Sequence, residues 1–173
     1  MTNTATRETA TTEVKQLISF TVGNEEYGLE LLRVKEVIRM RQVTWLPKAP
    51  SCVKGIINLR GQVIPIIDLR ERFDLPHARD TAMTRVIVVE IERKPVGMVV
   101  DSASQVVRVP VDQFEPPPPV LGEEASSFIS AVGKIGDRLV TIMDVEKLLG
   151  REEMRRIERT LSSPRHEPAL SKA

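Results

Sequence analysis

Few side chains in this 173-residue sequence have the type and spacing for chemistry. His77 and His166 have no cysteine or second histidine nearby, so neither belongs to a metal-binding pattern. Cys52 lies between a proline break and an apolar run, which favours a buried, inert thiol over a nucleophile. The sequence contains no glycine-rich phosphate loop and no strand–turn–helix nucleophile motif. These patterns predict a protein that is not an enzyme and that uses no metal or other cofactor.

Two aspartates, Asp68 and Asp144, are the one pair of carboxylates that could act as a general acid and base. Each of them, however, ends an apolar run that reads as a strand. Glu71 follows Asp68 by three residues, which is the spacing of a capping box at the start of a helix. We therefore favour helix capping over acid–base chemistry for both aspartates.

Glu36 and Arg60 distinguish the first half of the chain from the second, where the aligned residues are the uncharged Gln105 and Gly136. Arg60 lies in Asn58–Gly61, which predicts the tight turn of a β-hairpin between two β-branched runs. If the hairpin tip approaches Glu36, the two side chains form a salt bridge. Otherwise they are two separate solvated charges, and the sequence leaves both alternatives open.

The chain contains an internal repeat of about 65 residues. A shift of 69 positions aligns Leu17/Val86, Phe20/Val89, Val22/Ile91, Gly28/Gly97, Val37/Val106, Arg39/Arg108, Trp45/Phe114 and Pro47/Pro116. Beyond Pro119 the shift becomes 76, which aligns Val63/Leu139, Ile66/Ile142, Asp68/Asp144, Leu69/Val145 and Phe73/Leu149. Because each unit is small for a core of its own, we expect two closed β-barrels with a shared interface. One arrangement compatible with this is that each unit is completed by a strand from the other.

The local patterns predict short strands separated by turns, and so an all-β fold. Strands are predicted near Ile18–Val22, Tyr27–Leu31, Gln42–Leu46, Val53–Asp68 (as a hairpin), Arg85–Ile91 and Val96–Val100. Apolar residues at i, i+3 and i+4 predict two short helical turns, one at Val34, Val37 and Ile38 and one at Ala103, Val106 and Val107. A short helix is predicted over Leu69–Phe73, and a longer one over residues 145–161.

The composition is that of an ordinary globular protein, with 41% hydrophobic residues, 28% charged residues and a net charge of +1. With 3% aromatic residues, the chain lacks the basic face with interleaved aromatics that nucleic-acid binding requires. No apolar run approaches the roughly 18 residues of a membrane span. We expect a cytoplasmic protein without direct membrane insertion. We expect a disordered tail over 1–15, repeat units over 16–75 and 85–149, and a helix and tail over 150–173.

Apolar residues near the ends of the paired strands could serve either of two purposes. They are Val34, Val37, Val100, Ala103 and Val106. They either belong to the core between the repeats or line an exposed groove for a helix of another protein.

Gly55–Arg70, which reads GIINLRGQVIPIIDLR, closely resembles the signature of the CheW family of bacterial chemotaxis coupling proteins. Four further segments fit the family in the same order: Glu26–Glu30, Val34–Ile38, Val96–Asp101 and Gly136–Leu139. The resemblance covers residues 16–149. It implies two tandem five-stranded SH3-like barrels around a shared hydrophobic core.

The resemblance also implies a non-catalytic adaptor between methyl-accepting chemotaxis receptors and the histidine kinase CheA, recruited to membrane-associated receptor arrays. In the family, the cytoplasmic receptor tip, a helical hairpin, binds in the groove between the barrels. The positions that match this receptor-binding surface are Val34, Glu36, Arg60, Gly97, Val100, Ala103 and Val106. The kinase's regulatory domain docks on the first barrel, which we place near Val43, Trp45 and Leu46.

Other functions stay open at this point. A CheW-like coupling protein of another receptor-linked system, serving motility or gene regulation, would have the same sequence features. A fragment of CheA, or of a fusion with a receiver domain, ranks lower because both ends of the chain read as tails. A small-barrel nucleic-acid-binding protein is the remote alternative.

Overall fold

The computed structural model describes residues 13–119 and 127–162, which contain eleven β-strands and two α-helices. The strands of the first half are β1 (Val14–Val22), β2 (Glu25–Glu30), β3 (Val34–Arg39), β4 (Val53–Leu59) and β5 (Gln62–Asp68). Those of the second half are β6 (Arg85–Ile91), β7 (Lys94–Val100), β8 (Ser102–Pro110), β9 (Phe114–Glu115), β10 (Ile129–Ile135) and β11 (Arg138–Met143). The helices are α1 (Leu69–Arg72) and α2 (Arg151–Ser162).

The strands form two sheets, and each sheet draws on both halves of the chain. Sheet 1 has the order β8-β1-β2-β11-β10-β9, and sheet 2 has the order β3-β6-β7-β5-β4. Antiparallel hairpins are joined by two parallel pairings, β2 with β11 and β5 with β7. The ranges 16–75 and 85–149 therefore describe the sequence repeats, whereas in space each repeat lends two strands to the other sheet.

One hydrophobic core lies between the two sheets. It contains Phe20 and Leu29 from sheet 1, Ile87 and Met98 from sheet 2, and Ile157 from α2. All five side chains are almost completely buried, and burial of each such side chain is worth about 1.5–3 kcal/mol. The predicted all-β fold with a shared core and a C-terminal helix is confirmed, although the two-residue β9 gives sheet 1 a sixth strand.

The two predicted helical turns are strands, and this prediction was wrong. Residues 34–39 form β3, and residues 102–110 form β8. Each strand carries an irregularity that skips one residue in the pairing, Lys35 in β3 and Ser104 in β8. In β8 the skipped residue breaks strict alternation, so the apolar spacing imitates a helical stripe. In β3 the burial still alternates, and the exposed Val37 next to Ile38 produces the same spacing. The β-branched residues at these positions favour the strand that forms.

The predicted strand over Gln42–Leu46 is also absent. Only Thr44 pairs there, through two backbone hydrogen bonds of 2.8 Å with Ile56. Pro47 and Pro50 follow closely and remove donors that a longer ladder would need. This single bridge occupies the place in sheet 2 that β9 occupies in sheet 1.

Both aspartates are caps, as predicted. The Arg70 amide donates to Asp68 Oδ1 at 3.0 Å at the start of α1. The Glu146 amide donates to Asp144 Oδ1 at 3.1 Å at the start of a 3-10 turn. That turn, Val145–Lys147, is separate from α2, so the helix predicted over 145–161 is interrupted before residue 151.

The predicted tails lie only partly within the described residues. Val14 and Lys15 belong to β1, so the prediction of a disordered tail was wrong for these two residues. Residues 1–12 and 163–173, the latter including His166, lie outside the described ranges, as do residues 120–126.

Candidate partner-binding site

Arg60 occupies the tip of the β4–β5 hairpin in a backbone conformation that costs energy. The two turn residues, Arg60 and Gly61, have φ angles of 53° and 82°. The Asn58 side chain accepts a hydrogen bond of 2.9 Å from the Gly61 amide and fixes the turn. A two-residue turn with positive φ at both positions suits glycine or asparagine, whereas arginine adopts it under strain. Strain of this kind is often found at functional positions.

Glu36 on β3 forms a bidentate salt bridge with the Arg60 guanidinium. Arg60 Nη1 and Nη2 donate to Glu36 Oε1 and Oε2 at 2.7 and 2.8 Å. The Arg60 side chain is 74% exposed and that of Glu36 is 25% exposed. The sequence left open whether these residues pair, and the structure shows that they do. The planar fork leaves most of the Arg60 surface available to a partner.

The Glu36 carboxylate is expected to titrate below its ordinary range. Its hydrogen bonds with Arg60 are the main cause of the lowered pKa, and the charges of Arg60 and Arg41 add to it. The pair's contribution to stability is therefore present at neutral pH and is lost as pH falls through this lowered pKa. A carboxyl NMR titration of Arg60→Gln should show the Glu36 pKa rising towards its ordinary value. Arg41→Gln, the control, should raise it less, and an unchanged pKa in Arg60→Gln would contradict the pairing.

An open pocket of about 310 Å³ lies beside this ion pair. Its rim carries the charged residues Lys35, Glu36 and Arg60, and its floor includes the buried apolar side chains of Leu59, Ile64 and Val88. The pocket thus presents mainly its charged rim to a partner, since the apolar side chains beneath it are almost completely buried. Lys35 was missed in the sequence, because nothing in its surroundings there distinguishes it from other solvated lysines.

The remaining members of the predicted receptor-binding set differ in their exposure. Val34 and Ala103 are partly buried and pack against the shared core. Val106, on β8, is 50% exposed. These three side chains are accessible to a partner in part or in full, and they lie on β3 of sheet 2 and on β8 of sheet 1.

Gly97 and Val100 lie behind the surface, on β7. Val100 is fully buried in the shared core. A Cβ atom at Gly97 would lie 2.5 Å from Ile66 Cδ1 and 2.8 Å from Val86 Cγ1, so only glycine fits there without rearrangement. Any role of these two residues in binding is therefore through the packing that supports the surface.

The three positions predicted for kinase contact also differ in exposure. Trp45 is 74% exposed, although it is the only tryptophan of the chain. Val43 packs against a smaller apolar cluster in sheet 2, and Leu46 is buried. Trp45 is thus the one member of the set that offers a large apolar surface to another protein.

The comparison with known proteins now gives the family. Residues 16–153 match the model of the CheW-like domain. The chain is 37% identical to the chemotaxis protein CheW of Klebsiella aerogenes over 149 residues, which cover 86% of this chain and 90% of that protein. The crystal structure of the scaffolding protein TtCheW from Thermoanaerobacter tengcongensis matches with a TM-score of 0.76 at 32% identity, covering 82% and 96% of the two chains. The chain belongs to the CheW family.

Membership of the CheW family makes the chain a chemotaxis adaptor without catalytic activity. The described part of the chain has no cluster of three or more His, Cys, Asp or Glu residues that could hold a metal ion. Cys52 is a buried thiol, as predicted, and burial, reinforced by Glu153, raises its pKa to about 11. None of the helices described is long and apolar enough to cross a membrane.

Sequence reasoning did not single out Leu32, which this CheW-family structure places on the surface. It lies in the 3-10 turn Leu31–Arg33, immediately before β3, and its side chain is almost fully exposed. The adjacent pair Leu31 and Leu32 looks like core in the sequence. In the structure Leu31 is partly buried, whereas the 3-10 turn directs Leu32 into solvent.

Proposed function

We propose that this chain holds the cytoplasmic tip of a methyl-accepting chemoreceptor and the regulatory domain of the histidine kinase CheA in a fixed relation, within receptor arrays at the membrane. The receptor tip occupies the surface formed by Val34, Glu36, Arg60, Ala103 and Val106. The observation that carries this assignment is the Glu36–Arg60 pair, held on a strained turn beside a charged-rimmed pocket.

The kinase contact is proposed on a different surface, around Trp45. An exposed tryptophan is the kind of side chain that contributes strongly to binding when a partner covers it. Its neighbours in the chain are anchored in the interior, since Val43 packs against the smaller cluster of sheet 2 and Leu46 is buried. Since this surface is formed by the segment that bridges to β4, it lies entirely on sheet 2.

The adaptor acts through geometry. Each partner binds one face, and the packed core between the sheets fixes the relation between the faces. A receptor movement then changes kinase activity only if it changes the contact free energy of one kinase state relative to another.

Simultaneous binding is the direct test of two separate faces. Isothermal titration calorimetry should give equal affinity for a receptor helical-hairpin fragment before and after saturation with the isolated CheA regulatory domain. Trp45→Ala should weaken binding of the CheA regulatory domain by about ten-fold, as expected for an interface hot spot, and should leave binding of the receptor fragment unchanged. Competition between the two partners, or no binding of either, would contradict the proposal.

A coupling protein of another receptor-linked system is the second candidate. The chain is also similar to a protein that is not named for chemotaxis, protein FrzA of Myxococcus xanthus, with 30% identity over 148 residues that cover 84% of this chain and 91% of that protein. The same titration with receptor and kinase fragments of each candidate system in the source organism separates the two, since the true partners bind more tightly.

A further inference from the structure

The described chain passes between the two sheets at two places, and a charged residue stands at each of them. The first passage leads from β2 in sheet 1 to β3 in sheet 2, and Arg33 is the residue immediately before β3. The second leads from β7 in sheet 2 to β8 in sheet 1, and Asp101 is the residue immediately before β8. At these passages the backbone connects the two sheets directly, in addition to the core that is packed between them.

Each passage is held by an ion pair from an equivalent position of the other repeat. Glu146, two residues after the cap Asp144, pairs with Arg33 at 3.0 Å. Arg70, two residues after the cap Asp68, pairs with Asp101 through Nε at 3.5 Å. Arg70 and Glu146 are thus repeat-equivalent residues of opposite charge, whereas their partners Asp101 and Arg33 are one position out of register in the repeat alignment.

The two ion pairs differ in burial. Both members of the Arg33–Glu146 pair are substantially exposed, so solvent screens it and its contribution is small. The Arg70 side chain is 3% exposed. A buried cation depends on its partners, because removing one side of a buried pair leaves the other charge unsatisfied.

Arg70 connects three parts of the molecule. Its Nη1 donates to the carbonyl of Ala78 at 2.7 Å, and its Nη2 donates to Asp80 Oδ1 at 3.4 Å. These two contacts attach the linker between the repeats to Arg70. Its Nε lies 3.5 Å from carboxylate oxygens of both Asp68 and Asp101. This Nε atom itself has no hydrogen-bond partner among the described residues. The Nε side of the Arg70 guanidinium is therefore held by electrostatic attraction to two carboxylates, Asp68 and Asp101.

Asp101 continues this connection into sheet 1. Its Oδ2 accepts a hydrogen bond of 2.7 Å from the Gly23 amide, in the β1–β2 turn. Its own amide donates to the Thr21 carbonyl of β1 at 2.9 Å. A continuous set of contacts thus runs from α1 through Arg70 and Asp101 to β1.

We propose that Arg70 is a positioning residue that fixes the orientation of sheet 1 relative to sheet 2 through Asp101. The receptor surface proposed above spans both sheets, because Glu36 and Arg60 belong to sheet 2 and Val106 to β8 of sheet 1. The kinase surface around Trp45 belongs to sheet 2 alone. Loss of Arg70 therefore impairs receptor binding selectively, a consequence that rests on the proposed function.

The test measures the distance between the sheets directly. Spin labels are placed at the exposed, repeat-equivalent positions Val63 in β5 and Leu139 in β11, through V63C and L139C. Electron–electron resonance then compares Arg70→Met with Arg33→Met, its exposed counterpart. Arg70→Met should at least double the width of the distance distribution, and Arg33→Met should leave it unchanged. Equal widths in all three proteins would overturn the proposal.

Binding measurements on the same variants separate positioning from simple destabilisation. In Arg70→Met the receptor fragment should bind about ten-fold more weakly, and the kinase regulatory domain should change by less than about three-fold. An equal loss for both partners would overturn the positioning role. Should Arg70→Met fail to fold, Asp101→Asn, which keeps an acceptor for Gly23, should still widen the distribution. If the width changes but the wild type binds neither partner, the positioning role stands and the proposed function falls.

Discussion

Replacing Gly55 with alanine is expected to lower the free energy of unfolding by about 3 kcal/mol, the upper end of the usual cost of overpacking. A Cβ atom at this position would lie 2.1 Å from the Thr44 carbonyl oxygen and 2.8 Å from the Thr44 carbonyl carbon. Backbone atoms cannot rotate away as a flexible side chain can. The φ angle of 152° adds strain for any residue that has a Cβ atom.

The clash would destabilise the single Thr44–Ile56 bridge that extends sheet 2 beyond β4. Gly55 lies at the irregularity in the β4–β5 pairing, beside the Thr44–Ile56 bridge. Its displacement would therefore also disturb the backbone next to Trp45. Urea unfolding followed by circular dichroism gives the free energy of unfolding.

Gly61→Ala is the matched control for this prediction. Gly61 also has a positive φ, of 82°, but a Cβ atom there would meet nothing within 4 Å. It should cost only the backbone strain, about 1 kcal/mol. Equal losses for Gly55→Ala and Gly61→Ala would show that strain, and not the clash with Thr44, governs the first site.

Removing either member of the Glu36–Arg60 pair is expected to weaken receptor binding by at least about ten-fold while the protein stays folded. Arg60→Ala removes the exposed guanidinium that a partner would contact. Glu36→Ala leaves Arg60 in place but frees it from the two-pronged contact at 2.7 and 2.8 Å, so the arginine is no longer pre-oriented. Calorimetric titration with the receptor hairpin fragment measures both effects.

Exchanging the two residues tests whether binding needs only an ion pair at this place or an arginine at the exposed tip. Glu36→Arg combined with Arg60→Glu restores an ion pair but places a carboxylate at the exposed tip, so receptor binding should stay weak. Arg138→Ala is the control, since Arg138 is an exposed arginine at the start of β11 and pairs with Glu26 at 3.3 Å. Wild-type binding by Arg60→Ala, or a loss as large in Arg138→Ala, would contradict the proposed site.

Much of the fold could be predicted because the repeat constrains it twice. The alignment of Asp68 with Asp144 and of Gly28 with Gly97 marks equivalent strand ends and close strand contacts in both halves. The two wrongly predicted helical turns fall on irregular strands, where Lys35 and Ser104 are skipped in the pairing and the spacing of apolar residues does not identify a strand. Local pattern alone cannot detect such a skip.

The exchange of strands between the sheets could be raised from the sequence but not decided. The hairpins β1–β2 and β6–β7 are the same whether each stays with its own repeat or moves to the other. The pairings between strands of different repeats decide it: β1 with β8 and β3 with β6 antiparallel, and β2 with β11 and β5 with β7 parallel. Such non-local pairings leave no periodic signal in either strand.

The site was partly predictable because comparison of the two repeats shows where they differ. The divergence of Glu36 and Arg60 from their repeat equivalents drew attention to both residues, and the hairpin turn placed Arg60 at a tip. The burial of Val100 and Leu46, and the exposure of Trp45 and Leu32, follow from how segments pack in three dimensions. An apolar residue looks the same in a sequence whether it belongs to the core or to a docking surface.

The most direct test of the adaptor role is a three-component assay with the wild-type protein, a receptor signalling fragment and CheA. Kinase autophosphorylation and co-sedimentation are followed together. The proposed function predicts that all three proteins sediment as one complex and that the receptor fragment changes the autophosphorylation rate only when this protein is present. A wild-type protein that sediments with neither partner and leaves the rate unchanged would contradict it.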